Sequence, residues 1–280
     1  MLSCSKESID SPVISNDDQQ KTARSILNIS YGEDQAQKYD IYLPANRSTA
    51  ITKVLIFIHG GGWIQGDKND MEEYIPILAE DHPDYAIVNL NYRLAKLPTR
   101  AAFPNQFLDI QRALQHLTEA AVDYGILAEF GLIGVSAGAH LALQFDSVYD
   151  NFDQVKLVCS IVGPTDLTDP FFKQNPDFLL ALQFLVDENA YPGVSDFAKA
   201  VSPAYLVSDK NSATILFYGK EDPLVPVSNG ILLQKQLEHA GIENSLTIFN
   251  GGHGDWNEHA NRNLQLKLSN FINLHLPLEF

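Results

Sequence analysis

The chain has 280 residues, 45% of them hydrophobic, which suffices to bury a substantial core and excludes a disordered or fibrous protein. Thirty-five acidic residues against 19 basic ones leave a formal charge of −16, which repels phosphate backbones and anionic headgroups and excludes nucleic acid as a partner. Even the apolar run Val54–Ile58 is far short of the ~20 residues that cross a bilayer, so no transmembrane span is expected, and Cys4 and Cys159 alone support neither a disulfide framework nor a thiolate metal site.

The first residues are rich in Ser, Asp, Asn and Gln without apolar periodicity, and residues 1–23 read as a disordered tail ahead of a single domain at 24–280. The opening Met1-Leu2-Ser3-Cys4-Ser5-Lys6-Glu7 resembles the end of a bacterial lipoprotein signal, a resemblance that implies a lipid anchor at Cys4 and an exported protein. A full signal also carries a charged start and an apolar core of about 7–15 residues, which are not seen here. The alternative is a cytoplasmic protein with a chance cysteine, and both readings stand.

Ser25–Ser30 and Lys38–Leu43 alternate apolar and polar residues around Gly32 and predict a pair of antiparallel strands. Val54–Ile58, Tyr85–Leu90, Phe130–Val135, Val155–Val162 and Thr214–Tyr218 are aliphatic runs of the kind found in parallel strands covered on both faces. Helical spacing appears between them at Met71–Glu80, Asn105–Ala121, Ala139–Val148 and Ser228–Ala240, followed by a strand at Leu246–Phe249 and a helix at Glu258–Leu274. This alternation predicts a doubly wound α/β fold with a mostly parallel central sheet flanked by helices. Residues 163–202 break the rhythm: Phe171, Phe172, Phe178, Leu179, Leu182, Phe184 and Leu185 are interrupted by Pro170, Pro176 and Pro192. They read as a small helical cap inserted into the domain, with ordinary core helices as the alternative.

Gly134-Val135-Ser136-Ala137-Gly138 sits between a predicted strand and a predicted helix, the context in which a G-x-S-x-G turn exposes its serine at the top of a sheet. Glycines are required where strand and helix approach too closely for side chains, and the serine is held in strained geometry. His59-Gly60-Gly61-Gly62-Trp63 follows the strand Val54–Ile58, and its consecutive glycines leave backbone N–H groups free to cradle a developing oxyanion.

With these two motifs the sequence resembles the α/β-hydrolase superfamily, and within it the esterases with an HGGG loop, such as the hormone-sensitive-lipase-like and bacterial feruloyl or acetyl esterase groups. The likeness runs from Tyr39-Asp40-Ile41-Tyr42-Leu43-Pro44 through Asn91-Tyr92-Arg93-Leu94 and Phe103-Pro104…Asp109-Ile110 to the C-terminal helix. It implies an α/β-hydrolase fold, oxyanion donors at Gly61, Gly62 and Ala137, a structural role for His59, and a triad in the order serine, acid, histidine.

Tyr218-Gly219-Lys220-Glu221-Asp222-Pro223-Leu224-Val225-Pro226 resembles the stretch that carries the acid, with Asp222 at the matching position and Glu221 as its rival. Asn250-Gly251-Gly252-His253-Gly254-Asp255-Trp256 offers a histidine on a loop of small residues, so His253 is the candidate base, while His239, His259 and His275 lie in helix-like segments. The intervals of about 86 residues from Ser136 to Asp222 and about 31 to His253 suit groups hung on different strand ends. The resemblance implies a serine carboxylesterase acting on a small-molecule or saccharide-linked ester, with short-chain or aryl esters favoured and no cofactor or metal. Trp63, Phe171 and Phe172 are candidates for the substrate pocket or, equally, for packing. An arylformamidase-type amide hydrolase on the same triad and a non-catalytic binding protein of this fold are the competing readings.

Overall fold

The structure is a computed structural model that describes residues 21–279. Cys4 and most of the predicted tail lie outside the described residues. Of the 1–23 segment, Lys21 and Thr22 are held through their carbonyls, which accept from Asn46 N–H and from the Arg47 guanidinium.

Eight strands form one sheet: β1 (Arg24–Ser30), β2 (Lys38–Leu43), β3 (Val54–Ile58), β4 (Ala86–Leu90), β5 (Phe130–Val135), β6 (Val155–Ile161), β7 (Ala213–Gly219) and β8 (Asn244–Phe249), in the spatial order β1-β2-β4-β3-β5-β6-β7-β8. β1 and β2 pair antiparallel, β2 runs antiparallel to β4, and every pair from β4 to β8 is parallel. All residues of β3 and β4 are buried, which explains their unbroken apolar sequence: each faces a helical layer on both sides.

The helices in chain order are α1 (Ile75–Asp81), α2 (Asn105–Glu119), α3 (Ala121–Tyr124), α4 (Ala137–Val148), α5 (Pro170–Lys173), α6 (Pro176–Leu185), α7 (Phe197–Ala200), α8 (Ser228–Ala240) and α9 (Glu258–His275). Phe107, Ile110 and Leu114 of α2, Leu141 and Phe145 of α4, and Leu233 and Leu237 of α8 cover one face of the sheet. Ile75 and Leu78 of α1, with Leu268, Phe271 and Ile272 of α9, cover the other. The helix expected over Met71–Glu80 begins instead as a 3-10 turn at Lys68–Tyr74. There Asp67 caps the Asn69 N–H and Asp70 reaches back to the Asp67 N–H.

Segment 163–202 holds three short helices, α5 to α7, as its prolines require. It is fastened to the chain ahead of α2, where Phe103 N–H donates to Leu185 and Asp187 N–H donates to Phe103. Only one side of α6 is covered: Leu182 and Leu185 are buried, whereas Leu179, Leu180 and Phe184 are exposed.

Candidate active site

Ser136 sits between β5 and α4 with φ 52° and ψ −118°, the left-handed side of backbone space where a residue with a side chain is strained. A Cβ on Gly134 would lie 2.5 Å from the backbone of Ala139, and one on Gly138 would overlap the carbonyls of Ile58 and His59. Both glycines are therefore dictated by the turn, which lifts Ser136 to the C-terminal edge of the sheet. Ala137 opens α4, and its N–H, at the first position of the helix, has no intrahelical acceptor.

The loop after β3 turns through three consecutive positive φ values, 109° at Gly61, 57° at Gly62 and 67° at Trp63. The carbonyl of Gly61 accepts from the N–H groups of Ile64 and Gln65 and so closes the loop upon itself. Among the described residues no backbone acceptor takes the N–H of Gly61, Gly62 or Ala137. His59 is fully buried, stacks on Tyr92 with ring centroids 4.3 Å apart, and donates from Nδ1 to the Gly60 carbonyl at 2.7 Å. Burial holds its pKa below the ordinary histidine value, so it stands as a neutral packing group under the loop. The Tyr92 hydroxyl donates to the His59 carbonyl, and the neighbouring Arg93 guanidinium grips Asp109 of α2 at 2.6 Å. These bonds account physically for the Asn91-Tyr92-Arg93-Leu94 and Asp109-Ile110 pieces of the likeness.

Trp63 turns away from the loop surface. Its indole is 6% exposed, meets Phe103 and His140 edge to face, and donates from Nε1 to His140 Nδ1 at 3.2 Å. His140 lies four residues after Ser136 on α4, fully buried, and its Nε2 donates to the Val201 carbonyl at 2.7 Å. One neutral imidazole thus joins the glycine loop, the helix behind Ser136 and the end of the inserted segment. Burial pulls its pKa down to about 4, and the bond to Val201 offsets this only in part. His140 belongs to neither sequence motif, and its i+4 spacing from Ser136 is the signal the sequence offers for it. Phe172 is buried and stacked on Phe178, and Phe171 is 42% exposed.

Asp222 lies three residues beyond β7 and His253 four beyond β8, so both reach the same sheet edge as Ser136. The carboxyl of Asp222 is buried; Oδ1 accepts from the N–H groups of Leu224 and Val225 at 2.8 and 2.9 Å, and Oδ2 faces His253 Nδ1 at 2.7 Å. His253 Nε2 lies 2.9 Å from Ser136 Oγ. An ionised carboxylate can only accept, so Nδ1 carries the imidazole proton and Nε2 is left to accept the serine hydroxyl. Burial by itself would raise the pKa of Asp222, but the bonds from His253, Val225 and Leu224 outweigh it and hold the carboxyl below its ordinary range. Glu221 points to solvent and contributes only its backbone N–H, to Gly251. Gly219, at the end of β7, is required by proximity, since a Cβ there would overlap the carbonyl of Gly252 in the His253 loop. Such an arrangement can withdraw a proton from Ser136 Oγ as that oxygen attacks a carbonyl beside the open N–H groups of Gly61, Gly62 and Ala137.

A mostly parallel eight-stranded sheet with a strained serine between β5 and α4, and an acid and a histidine after β7 and β8, defines an α/β-hydrolase. Within that class the chain belongs to the BD-FAE family, whose family model matches residues 39–237. It is similar to arylacetamide deacetylase from Oryctolagus cuniculus, 31% identical over 158 residues, which are 52% of this chain and 39% of that protein, so it spans well under two thirds of that relative's length. Kynurenine formamidase from Scheffersomyces stipitis is 25% identical over 261 residues, 82% of this chain and 92% of that one. Among solved structures, a truncated carbohydrate esterase from gut microbiota superposes with a TM-score of 0.73 at 20% identity, covering 92% of this chain and 98% of the other, a likeness of fold.

Proposed function

We propose that this protein is a serine carboxylesterase that hydrolyses short-chain or aryl esters by two-step acyl transfer. The observation that carries this reading is the continuous relay from Asp222 through His253 to Ser136, with contacts of 2.7 and 2.9 Å, beside three N–H groups free to receive an oxyanion. In the first step Ser136 Oγ attacks the ester carbonyl as its proton passes to His253 Nε2. Negative charge on the carbonyl oxygen is stabilised by Gly61, Gly62 and Ala137. The imidazolium, held by the ionised Asp222, then protonates the departing alcohol, and water activated by the same histidine releases the acid from Ser136. Ester hydrolysis also agrees with the esterases named among the relatives.

Acetyl or feruloyl esters of plant polysaccharides are the natural substrates this reading favours, supported by the carbohydrate esterases among the structures of like fold. Segment 163–202 serves as a cap over the site in this reading, with the exposed Phe171 as its candidate substrate contact. Trp63 and Phe172, both buried, serve packing instead. A second reading, hydrolysis of N-formyl aryl amides on the same residues, draws support from the kynurenine formamidase match over most of both chains.

The deciding experiment measures hydrolysis of p-nitrophenyl acetate, butyrate and octanoate, a feruloyl ester, acetylated xylan and N-formylkynurenine by the wild type and Ser136→Ala. Activity on the short esters should fall by at least about 10³-fold in Ser136→Ala while its melting temperature is kept. Faster cleavage of the formamide than of any ester would move the assignment to the second reading, and retention of a tenth of the activity in Ser136→Ala would overturn both.

A further inference from the structure

A cavity of about 470 Å³ opens on the α1 and α9 face of the sheet, directly below His253. Its size lies within the range of about 300–1,000 Å³ typical of small-molecule sites. The floor is apolar, formed by Phe57 of β3, Ile133 and Val135 of β5, and Ile161 of β6. The cavity exists because α1 has only seven residues and does not close against α9, leaving Ile77 on one side and Leu264 on the other as its walls. His253 and Gly254 form the top. Ser136, Asp222, Gly61, Gly62 and Ala137 do not line it, nor does any residue of 163–202. A molecule filling this space therefore meets the reactive groups only at His253 and leaves the serine and the oxyanion donors uncovered.

Charge narrows the occupant. Besides His253, the charged residues lining the cavity among the described residues are Glu73 and Asp81, both exposed at its mouth, and no described lysine or arginine lines it. An aromatic or branched apolar body fits the floor, and an ammonium group at its end would face two carboxylates. A carboxylate at the same end would be repelled in a chain already carrying −16.

We propose that this cavity is an accessory binding site for an apolar cation, of the arylalkylammonium class, separate from the ester site and touching it only through His253. The site is defined by its walls and not by the reaction, so it stands whether or not the esterase reading holds.

The test uses the full chain carrying Ser136→Ala, so that no turnover intervenes, and measures by calorimetry the binding of 1-naphthylmethylamine, 1-naphthylmethanol and 1-naphthoate. The amine should bind at least about tenfold more tightly than the carboxylate, with the neutral alcohol between them, at low ionic strength. Leu264→Trp and Ile77→Trp fill the cavity from opposite walls at partly exposed positions, and each should weaken amine binding by about tenfold or more. Glu73→Gln with Asp81→Asn should remove the preference for the amine while keeping the alcohol. Saturating ethyl acetate should leave amine binding unchanged. The proposal is overturned by equal binding of all three probes, by no binding of the amine, by wild-type affinity in both filled variants, or by displacement with ethyl acetate. Loss of ester hydrolysis in the wild type would count against the esterase reading alone.

Discussion

Replacing Asp222 by Asn should abolish nearly all activity, for a reason visible in its hydrogen bonds. Oδ1 is fixed by two backbone donors, Leu224 and Val225 at 2.8 and 2.9 Å, so an asparagine must keep its carbonyl oxygen there. Its amide NH₂ then takes the place of Oδ2 and faces His253 Nδ1 across 2.7 Å. Two donors cannot share that contact, so the imidazole moves its proton to Nε2, which can no longer accept from Ser136. Trapping the wrong tautomer costs serine hydrolases about 10⁴-fold in kcat, or about 5.5 kcal/mol of transition-state stabilisation. The assay is kcat for p-nitrophenyl acetate, with Glu221→Gln as the control and melting temperature as the check on folding. Glu221 is exposed and its side chain makes no hydrogen bond among the described residues, so that variant should match the wild type. An Asp222→Asn enzyme that keeps more than about a tenth of the activity, or a Glu221→Gln enzyme that falls as far, would overturn the assignment.

Gly138→Ala should prevent stable folding or cost more than about 3 kcal/mol, because the added methyl overlaps the carbonyls of Ile58 and His59; a denaturation midpoint equal to the wild type would contradict the turn geometry. His140→Leu leaves Trp63 Nε1 and the Val201 carbonyl buried without partners, and urea unfolding should show a loss of about 2–6 kcal/mol, at about 1–3 for each group. A loss below about 1 kcal/mol would mean that the tether carries no weight. Two buried groups should set opposing pH dependences. His140, lowered from 6.5 to about 4, is worth about 3 kcal/mol above pH 6.5, lost as pH falls from 6.5 to 4. Asp146 is raised from 3.8 to about 6 by burial, which its bonds from Ser212 and Asn211 offset only in part, so its stability is fully present below pH 3.8 and about 3 kcal/mol is lost as pH rises through 6. Between pH 6 and 4 these two oppose each other, while His59, which burial also holds below its ordinary value, adds to the loss on acidification; Asp146→Asn removes the opposing group, and its melting temperature should fall more steeply on acidification than that of the wild type. A flat profile in that variant would contradict the burial of His140 as the source.

What could be read along the chain is what local conformation dictates. The turn at Ser136 admits no side chain at Gly134 or Gly138, and the loop at Gly61 and Gly62 needs positive φ, so both motifs are written in consecutive residues. Strands buried on both faces need unbroken apolar runs, which made the parallel sheet legible from Val54–Ile58 onward. The choice between Asp222 and Glu221 rested on likeness, and in space it turns on which carboxyl the strand end of β7 aims inward at His253, a contact between residues 31 apart. Trp63 follows the glycine loop and could have faced either the site or the core; its partner His140 lies 77 residues away, and only packing of α4 against that loop directs the indole inward. The cavity under His253 has no local signature, because it arises where α1 and α9, nearly 200 residues apart in the chain, fail to meet over β5 and β6. Backbone constraints act within a few residues and leave a pattern in the sequence, whereas side-chain partners and voids are set by how distant elements pack, and no short stretch of chain encodes them.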